Sequence, residues 1–202
     1  MNLPATFLLI RHGTNPQVGK GLTGWLPGVS LDENGRHQAE CLARQLADLP
    51  IAAIYSSPLE RTMETAAPLA RRKGLEIIRD PAFGEINFGA WQGKDFTEIE
   101  PDPEWERFNT FRSVTRAPGG ESMLETQARM VGRLFALSLE YSGETVAVFS
   151  HADAIKAAVS YLLGIPIDFH LRLEIRPASI TTVVIGKCMP VVRSVNIPSD
   201  NS

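Results

Sequence analysis

The decisive stretch is Phe7-Leu8-Leu9-Ile10-Arg11-His12-Gly13, where four large apolar residues pass without a spacer into a guanidinium, an imidazole and a glycine. An apolar run this short, closed by glycine, fits a buried strand better than a helix. Arg11 and His12 then fall at the strand's carboxyl end, where an open parallel sheet binds its ligands. The same arrangement recurs twice. Ala52–Ser56 gives way to Ser57-Pro58-Leu59-Glu60-Arg61, and Thr145–Phe149 ends in Ser150-His151. If these three strands are parallel neighbours, two arginines and two histidines converge in one crevice.

The rest of the chain supports such a sheet. Leu75–Ile78, Ile180–Ile185 and, more weakly, Val191–Val195 read as further strands. Between them lie helical patterns. Glu33–Leu49 has Asp32 as its N-cap. Pro58–Lys73 has Ser57 as cap, Pro58 at the first helical position, Glu60 closing a capping box and Gly74 as the stop. Ser122–Tyr141 opens on S-x-x-E, with Leu124, Met130, Val131, Leu134, Phe135 and Tyr141 at helical spacing, and Ala154–Leu163 runs to Gly164. Strands alternating with helices predict an α/β fold, a three-layer α/β/α sandwich around a mostly parallel sheet. The stretch Lys94–Gly120, with Pro101, Pro103, Pro118 and Trp105, fits that rhythm worst. It reads as a small lid-like insertion over one end of the sheet.

Bulk properties narrow the field. At 202 residues, 44% hydrophobic and 21% charged, residues 1–202 suit a single domain with a sizeable core. A net charge of -3 offers no basic footprint for nucleic acid. No apolar stretch approaches bilayer length, and the apolar run before Arg11 is too short for a secretion signal, so the expected location is cytoplasmic. Cys41 and Cys188 are too few and too isolated for a disulfide framework or a structural zinc.

Two guanidiniums beside two imidazoles would repel a dication, but they suit a tetrahedral dianion that accepts bidentate hydrogen bonds. Helix N-termini at the crevice would add backbone donors. The expected ligand is a phosphate. A neutral histidine can attack phosphorus and split one displacement into two, while arginines stabilise charge on the equatorial oxygens. Departure of an alkoxide also needs a proton. Glu85, set among glycines and apolar residues in Phe83-Gly84-Glu85-Ile86-Asn87-Phe88-Gly89-Ala90-Trp91-Gln92-Gly93, is the candidate acid.

These residues resemble a family. Leu8-Leu9-Ile10-Arg11-His12-Gly13-Thr14 is similar to the R-H-G motif of the histidine phosphatase superfamily, the phosphoglycerate-mutase-like proteins. Ser56–Ala66 resembles its second arginine motif, Glu85 with Phe88–Gly93 its acid loop, and Ser150-His151-Ala152 its second histidine motif. The matches keep the family's order from Leu8 to about Pro166. The resemblance implies an α/β/α sandwich with His12 as the phosphorylated nucleophile and Arg11, Arg61 and His151 as the phosphate pocket. It implies Glu85 as the acid, and later the base for water. Thr23-Gly24-Trp25 resembles the loop lining the substrate side, which makes Thr23 and Gly24 substrate-binding candidates. No metal or other cofactor is implied.

The chain also departs from the pattern. Where many members carry an acidic residue and then a Trp-Asn pair, it has Thr14-Asn15-Pro16-Gln17-Val18, so the asparagine contact is either absent or supplied differently, with Asn15 the candidate. The glycolytic mutases have a tyrosine where Phe88 stands and an Asn-Lys pair where Lys94-Asp95 follows Gly93. These departures favour hydrolysis of a small phosphomonoester. Transfer to another hydroxyl by a phosphomutase, and a silent phospho-ligand binding protein, remain as alternatives. Arg107, Arg112 and Arg116 read either as a solvated face or as a grip on a second anion of an acidic substrate. Glu121 and Ser122 read as helix-start residues, His37 as a surface residue, His170 as a loop residue and Cys41 as core. The late strands leave a homo-oligomer open.

Overall fold

The opening apolar run forms strand β1 (Ala5–Arg11), and its alternating side chains feed two separate cores. The computed structural model describes residues 3–199, so residues 1–2 and 200–202 of the expected domain lie outside the described residues. After β1 come α1 (Glu33–Gln45), β2 (Ile51–Ser56), α2 (Glu60–Lys73) and β3 (Ile77–Arg79). Two short helices follow, α3 (Phe96–Ile99) and α4 (Pro103–Thr110), then α5 (Met123–Glu140), β4 (Thr145–Ser150), α6 (Ala152–Leu163), β5 (Ile180–Ile185) and β6 (Val191–Ile197).

The sheet order is β3-β2-β4-β1-β5-β6. The pairings β1–β4, β2–β4 and β2–β3 are parallel, while β1–β5 and β5–β6 are antiparallel. The three strands expected to end at the crevice are therefore central parallel neighbours, with β4 inserted between β1 and β2. Successive strand residues point to opposite faces. Phe7 and Leu9 join Met130, Leu134 and Leu137 of α5 and Ile155 and Val159 of α6 in one core. Leu8 and Ile10 join Leu42 and Leu46 of the first helical region and Ala66 and Leu69 of α2 in the other. This is the predicted three-layer sandwich.

Local signals explain most element ends. Asp32 caps α1 through the Gly35 N–H at 2.7 Å. Ser122 and Glu125 form the expected box at α5, with the Ser122 hydroxyl accepting from the Glu125 N–H at 3.3 Å and the Glu125 carboxylate accepting from the Ser122 N–H at 2.9 Å. Gly74 and Gly164 end α2 and α6 in the left-handed region, where a Cβ is penalised.

The start of α2 differs from the sequence expectation. The helix begins at Glu60 rather than Pro58, and no side chain caps it. Leu59, after the proline, keeps extended backbone with ψ 144° and so delays the first helical residue to Glu60. The Ser57 hydroxyl instead meets His151, and the Glu60 carboxylate accepts the Gly28 N–H at 3.0 Å. Glu121 likewise takes no part in the α5 cap; its carboxylate accepts from Arg129 and from the Asn87 N–H.

The 94–120 stretch carries two short helices that its composition did not announce. Asp95 and Glu98 build a capping box for α3, and Asp102 accepts the Glu104 N–H at 2.9 Å, with Pro103 at the first position of α4. Trp91, Phe108, Phe88, Ile99 and Met123 form a third cluster beneath it. Phe108 is fully buried, stacks on Trp105 with ring centroids 5.9 Å apart, and meets Trp91 edge-on at 5.4 Å. We expect Phe108→Ala to destabilise the protein by about 3–5 kcal/mol. An unchanged urea midpoint would show that the segment does not fold with the rest of the chain.

Candidate active site

Strand register brings the two histidine motifs together. Arg11 lies opposite Ser150 in the parallel β1–β4 pair, and the His12 N–H donates to the Ser150 carbonyl at 3.1 Å. The end of β2 joins them through the Ser57 N–H, which donates to the Phe149 carbonyl at 2.9 Å. The His12 and His151 ring centroids are 5.2 Å apart, and both rings are buried. Gly13 is required by packing, since a Cβ there would stand 2.7 Å from the Gly35 carbonyl oxygen.

Each functional side chain has a definite anchor. His12 Nδ1 lies 2.7 Å from the Gly13 carbonyl, which fixes that nitrogen as the donor and leaves Nε2 as the basic atom. His151 Nε2 meets the Ser57 hydroxyl at 2.9 Å. Arg61 is 1% exposed, and its Nη2 donates to the Gly24 carbonyl at 2.8 Å. Arg11 Nη1 donates to the Ile175 carbonyl at 2.7 Å. Arg61 Nε and Nη1 and Arg11 Nε are buried without a protein partner. Buried guanidinium donors of this kind call for an anion.

Glu85 is held by its backbone as well as its side chain. Its carbonyl accepts from the Trp25 indole and from Arg129 Nη2, while its Oε1 accepts the Ile86 N–H at 3.1 Å and the Ala154 N–H at 3.3 Å. Arg11, His12, Arg61 and Glu85 line one cleft together with Asn15, Thr23, Gly24, Phe88, Phe96 and Asp153. Of the residues expected at the phosphate, only His151 is absent from the cleft wall; it stands behind, against the His12 ring.

Electrostatics suit a neutral nucleophile. Burial, Arg61 and Arg11 hold His12 well below the usual imidazole range, and burial with the same arginines does so for His151. Burial lowers Arg61 to about 10, which leaves it cationic near neutral pH. Burial and the nearby Asp153 charge push Glu85 up to about 7, against the pull of Arg61 and Arg11. A carboxylic acid therefore faces a neutral imidazole across a cationic floor. Among the described residues, no three His, Cys, Asp or Glu side chains gather as a metal site.

Several expectations need correction. Arg107 and Arg116 are exposed, and Arg116 pairs with Glu125. Arg112 is buried rather than on a solvated face, and none of the three lines the cleft, so none is placed to grip a second anion there. His170 is fully buried in a 3₁₀ turn (Ile167–Arg172), with its Nε2 3.8 Å from Asp153 Oδ1. Sequence reasoning also missed Ser57 as a histidine partner, Arg129 as the anchor of Glu85, and Asp153. Thr65 could have been found, since it lies one turn beyond Arg61 and accepts the Gly13 N–H at 3.0 Å.

Fold and site together define an α/β enzyme-like framework built around a buried anion pocket. Comparison with known proteins identifies its class. The family model of the histidine phosphatase superfamily (branch 1) matches residues 7–198. The chain is 31% identical over 192 residues to phosphoserine phosphatase 1 of Hydrogenobacter thermophilus, covering 94% of this chain and 91% of that one. It is 30% identical over 178 residues to a probable phosphoglycerate mutase of Serratia proteamaculans, covering 87% and 82%. The structure of Bacillus stearothermophilus YhfR superposes with a TM-score of 0.90 at 26% identity, covering 96% of this chain and 98% of that one. The protein belongs to the histidine phosphatase superfamily. Among its described residues no helix is long and apolar enough to cross a membrane.

The raised Glu85 carboxyl has a stability consequence. Below about pH 4.5 the group is protonated in both folded and unfolded chains, and its burial is well tolerated. As pH rises through 7 the folded state must ionise a buried group, so the stability it contributed is lost. We expect Glu85→Gln to gain stability over the wild type between pH 4.5 and about pH 8. Urea midpoints of the two proteins that keep a constant difference across that range would contradict a raised Glu85.

Proposed function

We propose that the protein hydrolyses a small phosphomonoester through a phosphohistidine on His12, without a metal. The observation that carries this is the neutral His12 imidazole, oriented by its Nδ1 contact with Gly13, beside the partnerless nitrogens of Arg11 and Arg61. In the first step His12 Nε2 bonds to phosphorus as the ester P–O bond breaks, and the leaving alkoxide takes the Glu85 proton. In the second step water gives a proton to Glu85 and attacks phosphorus. The P–N bond breaks, and inorganic phosphate leaves. Arg11 and Arg61 hold the phosphoryl oxygens throughout, His151 backs the His12 ring as the third expected phosphate contact, and Asn15 is an added polar contact on the cleft wall. Thr23 and Gly24 border the rest of the substrate.

The same phosphoenzyme serves a phosphomutase when a second hydroxyl of the substrate, not water, receives the group. Similarity to a probable phosphoglycerate mutase keeps this second reading in view, while Phe88 and Lys94-Asp95 favour hydrolysis. O-phosphoserine and phosphoglycerate are the first natural esters to assay, following the names of the relatives. We place the reaction in the cytoplasm and treat the 94–120 segment as the lid of one domain.

The test is turnover of p-nitrophenyl phosphate in excess EDTA. Wild type should turn over and trap an acid-labile phosphoenzyme, and His12→Ala should lose activity by about a thousandfold or more. An active His12→Ala variant would overturn the assignment. A second expectation separates the acid from the nucleophile. Nitrophenolate departs without protonation, so Glu85→Gln should slow an alkyl phosphate about a hundredfold more than the nitrophenyl ester. Equal slowing of both esters would remove Glu85 from the proton-donor role.

A further inference from the structure

Asp153 follows His151 by two residues, in the first turn of α6, and its carboxylate lies on the cleft wall. Three basic side chains surround it. Arg112 Nη1 is 3.7 Å from its Oδ2, while Lys156 Nζ and His170 Nε2 are each 3.8 Å from its Oδ1. Arg112 comes from the 94–120 segment, is 2% exposed, and lies over the Phe108 ring at 4.6 Å. Its Nη2 donates to Asn109 Oδ1 at 2.6 Å, yet its Nε and Nη1 are buried without a hydrogen-bond partner in the protein. The next residue, Ser113, donates from its N–H and hydroxyl to Asp168 at 2.7 and 2.8 Å. Burying separated charges in this way is a poor source of stability.

The cluster has a different use on its cleft side. Ala154, next to Asp153, donates its N–H to Glu85 Oε1 at 3.3 Å, so one turn of α6 holds both carboxylates near each other. We infer that Asp153 is a positioning residue for Glu85: fixed by Arg112, its carboxylate stands beside the acid as a permanent negative charge and keeps the Glu85 proton in place. This rests on Glu85 being the acid.

Burial does most to hold the proton on Glu85, and among the charges facing it Asp153 acts in the same direction. Arg11 at the end of β1 and Arg61 on α2 both draw the proton away. His12 and His151 are neutral and add nothing to that pull. Arg129 of α5 is paired with Glu121 while it holds the Glu85 carbonyl. Beyond Asp153 stand Arg112, Lys156 and His170, which keep Asp153 itself ionised. Of these groups, Asp153 is the one negatively charged side chain that shares the cleft wall with Glu85. Like charges in close quarters cannot both ionise readily, and the better-compensated one ionises first.

The experiment titrates Glu85 directly by carboxyl-carbon NMR on the full chain, its resonance assigned by its loss in Glu85→Gln. Asp153→Asn keeps the side-chain volume and should lower the Glu85 midpoint by roughly one pH unit. Arg112→Gln, which leaves Asp153 less compensated, should raise it. If Arg112→Gln fails to fold, Lys156→Met supplies the same arm from a side chain 15% exposed. Opposite shifts support the inference, because a purely structural role would not move the midpoint in both directions. An unmoved midpoint in Asp153→Asn, or shifts of the same sign, would overturn it. That outcome is independent of the proton-donor assignment, which fails separately if Glu85→Gln leaves alkyl phosphate turnover intact.

Discussion

The parallel pairing of β1 with β4 is the contact on which the site depends. It is the only central pair whose two members both end in a histidine, and its register sets Arg11 against Ser150 so that His12 and His151 leave the sheet side by side. Because β4 comes late in the chain, this pairing spans most of the sequence. In the sheet β4 lies between β1 and β2, and the two faces of these strands pack on separate helical layers. The chemistry is therefore assembled by topology rather than by any local stretch.

A second constraint follows from burial. Two guanidiniums are held in a pocket by carbonyls of Gly24 and Ile175, not by carboxylates. Their charge remains available to a ligand, and together with burial, the larger cause, it keeps both imidazoles unprotonated. The same field pulls on the proton of Glu85, which burial and Asp153 retain. His12, Glu85 and the two arginines thus share one charge distribution. Altering any member disturbs the others, a condition under which single-residue contributions do not add.

Much of this was legible in the chain itself. Short apolar runs ending in Arg-His or Ser-His located the strands and the crevice, because strand termini carry their chemistry at once in sequence. The α5 capping box and the stops at Gly74 and Gly164 were equally local. The misplaced start of α2 has the opposite cause: Ser57 has the composition of a cap, but tertiary structure commits its hydroxyl to His151. Residues that act from a distance left no mark. Arg129 reaches Glu85 from the middle of a helix, and Arg112 looked like one of three spaced surface arginines until Phe108 and Asp153 enclosed it. Helices α3 and α4 were hidden because four- and eight-residue helices carry too few turns to show a period.

The loop around Trp25 gives the molecule a mechanical property. Gly24 holds Arg61 through its carbonyl, and the neighbouring Trp25 holds the Glu85 carbonyl through its indole while its own N–H donates to Gln92. One short piece of chain thus grips Arg61 with one residue and Glu85 with the next. A ligand pressing on this loop reaches Arg61 and Glu85 through a single lever. Selectivity for the leaving group and grip on the phosphoryl group are geared together here, so remodelling this loop for a new substrate retunes the chemical step as well.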